Sequence, residues 1–128
     1  MNIPQSLYYT KTHEWVELKG EEAVIGITDF AQHQLGDIVF VELPEVGREV
    51  KKEEAVAVIE SVKAASDIYS PLSGTIINVN QNISEEPELV NSSPYKEGWI
   101  FSLKLNNPEE IAELLKAEDY KKLIAEKE

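Results

Sequence analysis

The stretch Ala55-Val56-Ala57-Val58-Ile59-Glu60-Ser61-Val62-Lys63-Ala64-Ala65-Ser66-Asp67 decides how this chain is read, because it supports two different local structures. Its alanines, glutamate and lysine favour a helix, and no Gly, Pro or Asn marks a turn between Glu60 and Asp67. The alternative is a hairpin in which Ala55 to Ile59 enters, Ile68-Tyr69 leaves, and Lys63 sits at the exposed tip. There the long lysine stem would hold its amine clear of the backbone, free to be acylated. Taken alone, a lysine beside an apolar run is an ordinary solvated charge.

Working outward, the chain from Glu14 to about Leu105 is a series of short β-prone runs separated by turn residues, the pattern of an all-β sandwich or barrel. Trp15-Val16-Glu17-Leu18 and Ala23-Val24-Ile25-Gly26-Ile27 flank Lys19-Gly20-Glu21, a hairpin turn in which Gly20 can take positive φ. Ile38 to Leu43, Val50, Thr75 to Val79 and Ile100 to Leu105 supply further strands, with Pro44 closing one and Pro71 and Gly74 bounding a turn. Thr28 to Leu35 is predicted to be a short helix, with Thr28 as N-cap, Asp29 in the first turn and Gly36 as a left-handed C-terminal residue. Asn107-Pro108-Glu109-Glu110 reads as an N-cap, a proline at the first helical position and a capping-box glutamate. Ile111, Leu114, Leu115, Tyr120, Leu123 and Ile124 then fall roughly on one face, predicting one or two helices over about 107–126 packed against a β core over about 12–105. Val50 to Val56 and Ile83 to Val90 share an apolar, acidic, apolar order, which fits either two related halves or chance.

The 128 residues, 42% of them hydrophobic, suffice for one compact domain over 1–128 without staples. Twelve basic against 24 acidic residues give a net charge of −12, which repels phosphate backbones and anionic membranes, so neither nucleic acid nor membrane is an expected partner. The acidity either steers the protein towards basic patches on its partners, with salt weakening the attraction, or serves solubility. The absence of cysteine excludes disulfides, thiolate nucleophiles and Cys-based metal sites. His13 and His33 lie far apart with no acidic pattern between them, so no metal motif exists. The opening Met-Asn-Ile-Pro-Gln-Ser-Leu-Tyr-Tyr-Thr lacks the basic and apolar regions of a secretion signal and the arginines of a mitochondrial presequence, and no run approaches a membrane span. A cytoplasmic location is expected.

Glu60-Ser61-Val62-Lys63-Ala64 resembles the attachment site of lipoyl domains, in which the modified lysine lies at a hairpin tip with an acidic residue three positions before it. Biotin carriers flank their lysine with methionines, whereas Val62 and Ala64 stand here. Four further blocks extend the likeness: Thr12-His13-Glu14-Trp15; Gly26-Ile27-Thr28-Asp29-Phe30-Ala31-Gln32; Leu35-Gly36-Asp37-Ile38-Val39-Phe40-Val41-Glu42-Leu43-Pro44; and Asn91-Ser92-Ser93-Pro94-Tyr95 with Gly98-Trp99. The lysine segment itself continues through Ser66-Asp67-Ile68-Tyr69-Ser70-Pro71. With these five blocks in order and a terminal helix, the chain resembles the H proteins of the glycine cleavage system.

The resemblance implies a mainly β, lipoyl-domain-like flattened barrel or sandwich of two antiparallel sheets, the hybrid hammerhead arrangement, with lipoate attached covalently to Lys63. Glu60, Ser61, Val62 and Ala64 would be read by the attaching enzyme, either a lipoyl ligase or an octanoyltransferase with a lipoyl synthase. Thr12, Glu14 and Asp67 would line a cleft that shelters the aminomethyl-loaded arm, where carboxylates suit a cationic amine. Carriers of this family take an aminomethyl group from glycine at a pyridoxal-phosphate glycine decarboxylase and deliver it to a tetrahydrofolate-dependent aminomethyltransferase. An FAD-dependent dihydrolipoamide dehydrogenase then reoxidises the arm. Such a carrier has no catalytic residues, acts as a monomer and contributes effective concentration. Read without the resemblance, Glu14 is a hairpin-surface acid and Asp67 a turn former. The alternative is a relay carrier of octanoyl or lipoyl groups, or an H-like carrier for another oxidoreductase. A lipoyl domain of a 2-oxoacid dehydrogenase would adjoin Pro/Ala-rich linkers that are missing here. An enzyme using Glu14 and Asp67 as acid and base would lack a nucleophile, metal or oxyanion donor.

Overall fold

A computed structural model describes residues 1–126. Its strands are β1 (Tyr8–Tyr9), β2 (Glu14–Lys19), β3 (Glu22–Ile27), β4 (Ile38–Glu42), β5 (Glu49–Val50), β6 (Ala55–Ser61), β7 (Ala65–Tyr69), β8 (Gly74–Val79), β9 (Phe101–Leu105) and β10 (Leu115–Lys116). They form two antiparallel sheets, one of seven strands in the order β10-β1-β2-β3-β9-β8-β5 and one of three in the order β4-β6-β7. Both sheets are open, so of the two expected architectures the sandwich is the one adopted.

The ambiguous stretch is a hairpin. β6 and β7 pair Glu60 with Ala65, Ile59 with Ser66, Val58 with Asp67 and Ala57 with Ile68. Ala57, Ile59 and Ile68 are buried against Val16, Ile25, Ile76 and Leu103 of the large sheet. Each of the two isoleucines contributes about 1.5–3 kcal/mol on burial. That gain outweighs the few tenths of a kcal/mol per residue by which alanine and glutamate favour a helix. The period of two therefore wins over local propensity.

The short helix α1 (Asp29–Leu35) forms as expected, with the Thr28 hydroxyl accepting from the Ala31 N–H at 3.2 Å. Gly36 ends it at φ 79, ψ −156, which is positive φ but extended and not the left-handed helical residue expected. Only glycine occupies that region without strain.

The C-terminal segment carries the two helices expected after 107, but not the expected cap. Pro108–Glu113 is a single 3-10 helix, the Asn107 side chain makes no cap bond, and the Glu110 carboxylate instead takes the Ser73 N–H at 2.7 Å and the Ser73 hydroxyl at 2.8 Å. Leu115-Lys116 then pairs with Tyr8-Tyr9 as a strand, and Ala117–Ala125, called α4 below, is the α-helix of this segment. Ile111 and Leu114 pack on the main core, while Tyr120 and Ile124 join Leu7, Tyr9, Trp15 and Phe30 in a second cluster. The continuous apolar face is thus divided between two cores. The two similar acidic stretches are also unlike in structure: Val50 to Val56 is strand, turn and strand, whereas Ile83 to Val90 runs through the short helices α2 (Asn82–Glu85) and α3 (Leu89–Ser92).

Candidate functional site

The hairpin tip owes its turn to a serine side chain. The Ser61 hydroxyl oxygen accepts from the backbone N–H of Lys63 and of Ala64, both at 3.1 Å, while the Ser61 N–H donates to the Ala64 carbonyl at 2.8 Å. This local bonding supplies what no glycine or proline does here. The Val62 N–H donates to the Asp37 carbonyl at 3.0 Å, tying the tip to the loop between α1 and β4. Lys63 is exposed, and no ion pair to its amine exists among the described residues. Its stem lies along Gly36, where an added Cβ would stand 3.3 Å from Lys63 Cε. Val62, Val39 and Phe40 leave apolar surface exposed at this end of the small sheet. A register shift between Ile38 and Phe40 turns both Val39 and Phe40 outward.

From the tip, the outer face of the hairpin leads to a cleft. Glu60 and Ala65, then Val58 and Asp67, pair across it, and Tyr69 follows on β7. About 13 Å of strand separates Ala65 from Tyr69. The cleft, about 530 Å³, is lined among others by Thr10, Thr12, Glu14, Tyr69, Leu114 and Leu115. The Lys52 ammonium and Glu113 carboxylate, 2.7 Å apart, bridge two of its walls.

Glu14 is the unusual group. Only 1% of it is exposed, against the surface position that the residues alone suggested. The turn 10–13 builds its surroundings: the His13 N–H donates to the Thr10 carbonyl, and His13 takes φ 72, which brings β2 back towards Thr10. The Thr10 hydroxyl accepts from the Glu14 N–H at 3.1 Å and donates to Glu14 Oε1 at 2.6 Å, the Thr12 hydroxyl donates to the same oxygen at 2.5 Å, and the Tyr69 N–H donates to Oε2 at 3.3 Å. Burial pushes the carboxyl above its ordinary value, and the hydroxyls of Thr10 and Thr12 and the Tyr69 amide pull against it. The arrangement is a buried carboxyl group held by neutral donors in the wall of a cleft.

Of the residues singled out by resemblance, Thr12 and Glu14 meet directly. Asp67 is exposed on the outer face of β7, between Lys63 and the cleft, and does not line it. Glu60, Val62 and Ala64 are exposed around Lys63, and Ser61 shapes the turn. Thr10 and Tyr69 were missed. The alternation Thr10, Thr12, Glu14 is a visible signal for the first, since it places three polar side chains on one side of an extended chain. Tyr69 acts through its backbone and leaves no such mark. A larger hollow of about 1060 Å³ under the N-terminal arm, with Leu7, Trp15 and Trp99 in its wall, contains no buried ionisable side chain.

Among the described residues no group of His, Cys, Asp and Glu could hold a metal ion, and no helix is long and apolar enough to cross a membrane. The sequence pattern of the family described as Glycine cleavage H-protein matches residues 7–127. The chain is similar to a glycine cleavage system H protein of Endomicrobium trichonymphae, 56% identical over 124 residues that cover 97% of this chain and 100% of the relative. It is equally similar, at 56%, to one of Thermus thermophilus, with 97% of each chain covered. Among solved structures, a crystal structure of a glycine cleavage system H protein from Mycobacterium marinum superposes with a TM-score of 0.85 at 38% identity, over 92% of this chain and 95% of that one. The serine-pinned lysine hairpin, the buried Glu14 and the two-sheet sandwich are thus features of a chain that belongs to the glycine cleavage H-protein family.

Proposed function

We propose that this chain is the lipoyl carrier of a glycine cleavage system, with lipoate joined in amide linkage to Lys63. The observation that carries the reading is the placement of one exposed amine at a rigid tip and one buried carboxylate at the other end of the same strand face. The residues suit the group: a solvent-facing amine for acylation, an open outer face along β7, and a cleft with Leu114 and Leu115 for its apolar part. When bound, lipoate supplies a cyclic disulfide whose sulfur accepts the one-carbon unit. Everything else falls to the chain. Lys63 fixes the attachment point and, once acylated, loses its positive charge. Thr10 and Thr12 keep the Glu14 carboxylate aimed into the cleft, where it receives a cationic amine and keeps water from it. Asp67 adds negative charge on the way. No residue here acts as a catalyst. The decarboxylase with its pyridoxal phosphate, the tetrahydrofolate-dependent aminomethyltransferase and the flavin dehydrogenase supply the chemistry, and a lipoyl ligase or the octanoyltransferase and lipoyl synthase pair installs the arm.

Incubation with a lipoyl ligase, ATP and lipoate, followed by intact-mass measurement, is expected to add one lipoyl mass to the protein and none to Lys63→Ala. An equal gain in Lys63→Ala would remove Lys63 from its role. Glycine-dependent release of carbon dioxide by a cognate decarboxylase should then need the lipoylated protein. No stimulation above background would favour the relay carrier.

A further inference from the structure

One of the sequence blocks, Asn91-Ser92-Ser93-Pro94-Tyr95, stands well beyond the lysine in sequence and outside the cleft, yet its first side chain is bonded into the support of the lysine hairpin. Asn91 lies on α3, half-buried. Its Nδ2 donates to the Gly36 carbonyl and to Gln32 Oε1, both at 2.9 Å, and its Oδ1 accepts from the Ile38 N–H at 2.9 Å. A backbone carbonyl on one side and a backbone N–H on the other fix which end of the amide is which. The strap 36–38 is therefore held at both ends by a single side chain.

That strap carries the lysine. Between its two anchored residues, the Asp37 carbonyl takes the Val62 N–H, and Ile38 pairs with Ser61. Gly36 forms the surface along which the Lys63 stem lies. From Asn91 to the amine the chain of contacts is amide, strap, tip and stem, with no other side chain bonded to the strap's backbone among the described residues.

We propose that Asn91 is a positioning residue for Lys63, holding the hairpin tip in the one placement that an attaching enzyme accepts. The proposal rests on the lipoyl reading of Lys63 given above. An asparagine is required because the place demands two donated bonds and one accepted bond at once. An aspartate in its stead would set a carboxylate oxygen against two acceptors, and a shorter side chain would leave the strap unsatisfied. Loosening the strap leaves the lysine as exposed as before but spreads the tip over several placements, so that only a fraction is competent and the apparent affinity for the enzyme falls by that fraction.

The molecule provides a matched control. Asn80 is also bonded three ways, donating to the Glu97 and Trp99 carbonyls at 2.7 Å each and accepting from the Asn82 N–H at 3.2 Å, but it makes no bond to the strap. Asn91→Asp, Asn91→Ala and the milder Asn91→Ser are compared with Asn80→Asp in three measurements. These are lipoylation kinetics with a lipoyl ligase, acetylation of Lys63 by an N-hydroxysuccinimide ester read by peptide mass, and amide exchange at Val62. The Asn91 variants are expected to lose about tenfold in kcat/KM, through a raised KM with kcat held. Lys63 acetylation should stay within about twofold of wild type, and Val62 should exchange about tenfold faster. Asn80→Asp should lower Tm without moving KM. Wild-type kcat/KM in a folded Asn91 variant, or an equal loss in Asn80→Asp, would overturn the proposal. If the wild-type protein takes no lipoate at Lys63, the reading of that lysine fails separately, and Val62 exchange alone decides: unchanged exchange would still refute Asn91 as the strap's anchor.

Discussion

Replacing Glu14 by glutamine should make the protein's stability less sensitive to rising pH than that of the natural sequence. The two threonine hydroxyls can still donate to the amide oxygen, so two of the three side-chain bonds survive. The lost contact is the 3.3 Å bond from the Tyr69 N–H, which would face an –NH2 group and cost about 1 kcal/mol. Against that stands the buried charge. Burial raises the folded carboxyl's pKa above its ordinary value of 4.5, so between that value and the raised one the folded state holds a proton that the unfolded state has released. Stability of the natural protein therefore falls as pH rises through this window, at no more than about 1.4 kcal/mol per pH unit, on the order of 5 °C in Tm. Glu14→Gln carries no such term. Urea or thermal unfolding of both proteins at intervals from about pH 4.5 to 8 should show the variant about 1 kcal/mol weaker at the acid end and the gap closing upwards. A gap independent of pH would mean that burial does not shift the carboxyl, and one that widens as pH rises that the carboxylate stabilises the fold; either would refute the burial argument. With the arm loaded, the same substitution should shorten the lifetime of the aminomethyl adduct.

Glu60→Ala should slow lipoylation several-fold with Tm unchanged within about 1 °C, since the side chain is exposed and takes part in no ion pair among the described residues; equal modification rates would remove it from the recognition set. Tyr120→Phe deletes the hydroxyl that meets Thr28 Oγ1 at 2.7 Å and His13 Nδ1 at 2.8 Å, inside the second cluster, while its stacking on Tyr9 persists. A loss of about 2 kcal/mol, on the order of 8 °C in Tm, is expected in a thermal melt, and an unchanged midpoint would show that the hydroxyl does not tie α4 to the sheet.

The strands β2, β3 and β9 were legible because they are short β-prone runs, the first two flanking the turn at Gly20, and α1 because its cap and terminator are local. The lysine hairpin was not legible from propensity: its turn is made by the Ser61 hydroxyl, and its strands are held by burial of Ala57 and Ile59 against a sheet that is distant in sequence. β1 and β10 are two residues each, and β10 is a strand because the chain ends meet at β1. The misread capping box has the same origin, since Glu110 found a better donor in Ser73, across the fold, than at its own helix start. For the site, resemblance supplied Lys63, Thr12 and Glu14, but the burial of Glu14 depends on the 10–13 turn and could not be seen from spacing. Asn91 was visible only as part of a block, because its partners are backbone groups that carry no residue identity.

The rims of the large sheet carry a consequence for how such a carrier behaves in a crowd. Both outermost strands, β10 and β5, are two residues long. A neighbouring chain therefore finds no ladder of unmet backbone groups to extend, and cross-chain zippering has nowhere to begin on that side. On the small sheet, the kink at Val39 spoils the regular spacing of β4. Along these three edges the apolar side chains near the lysine tip stand beside backbone that gives a second chain little to pair with.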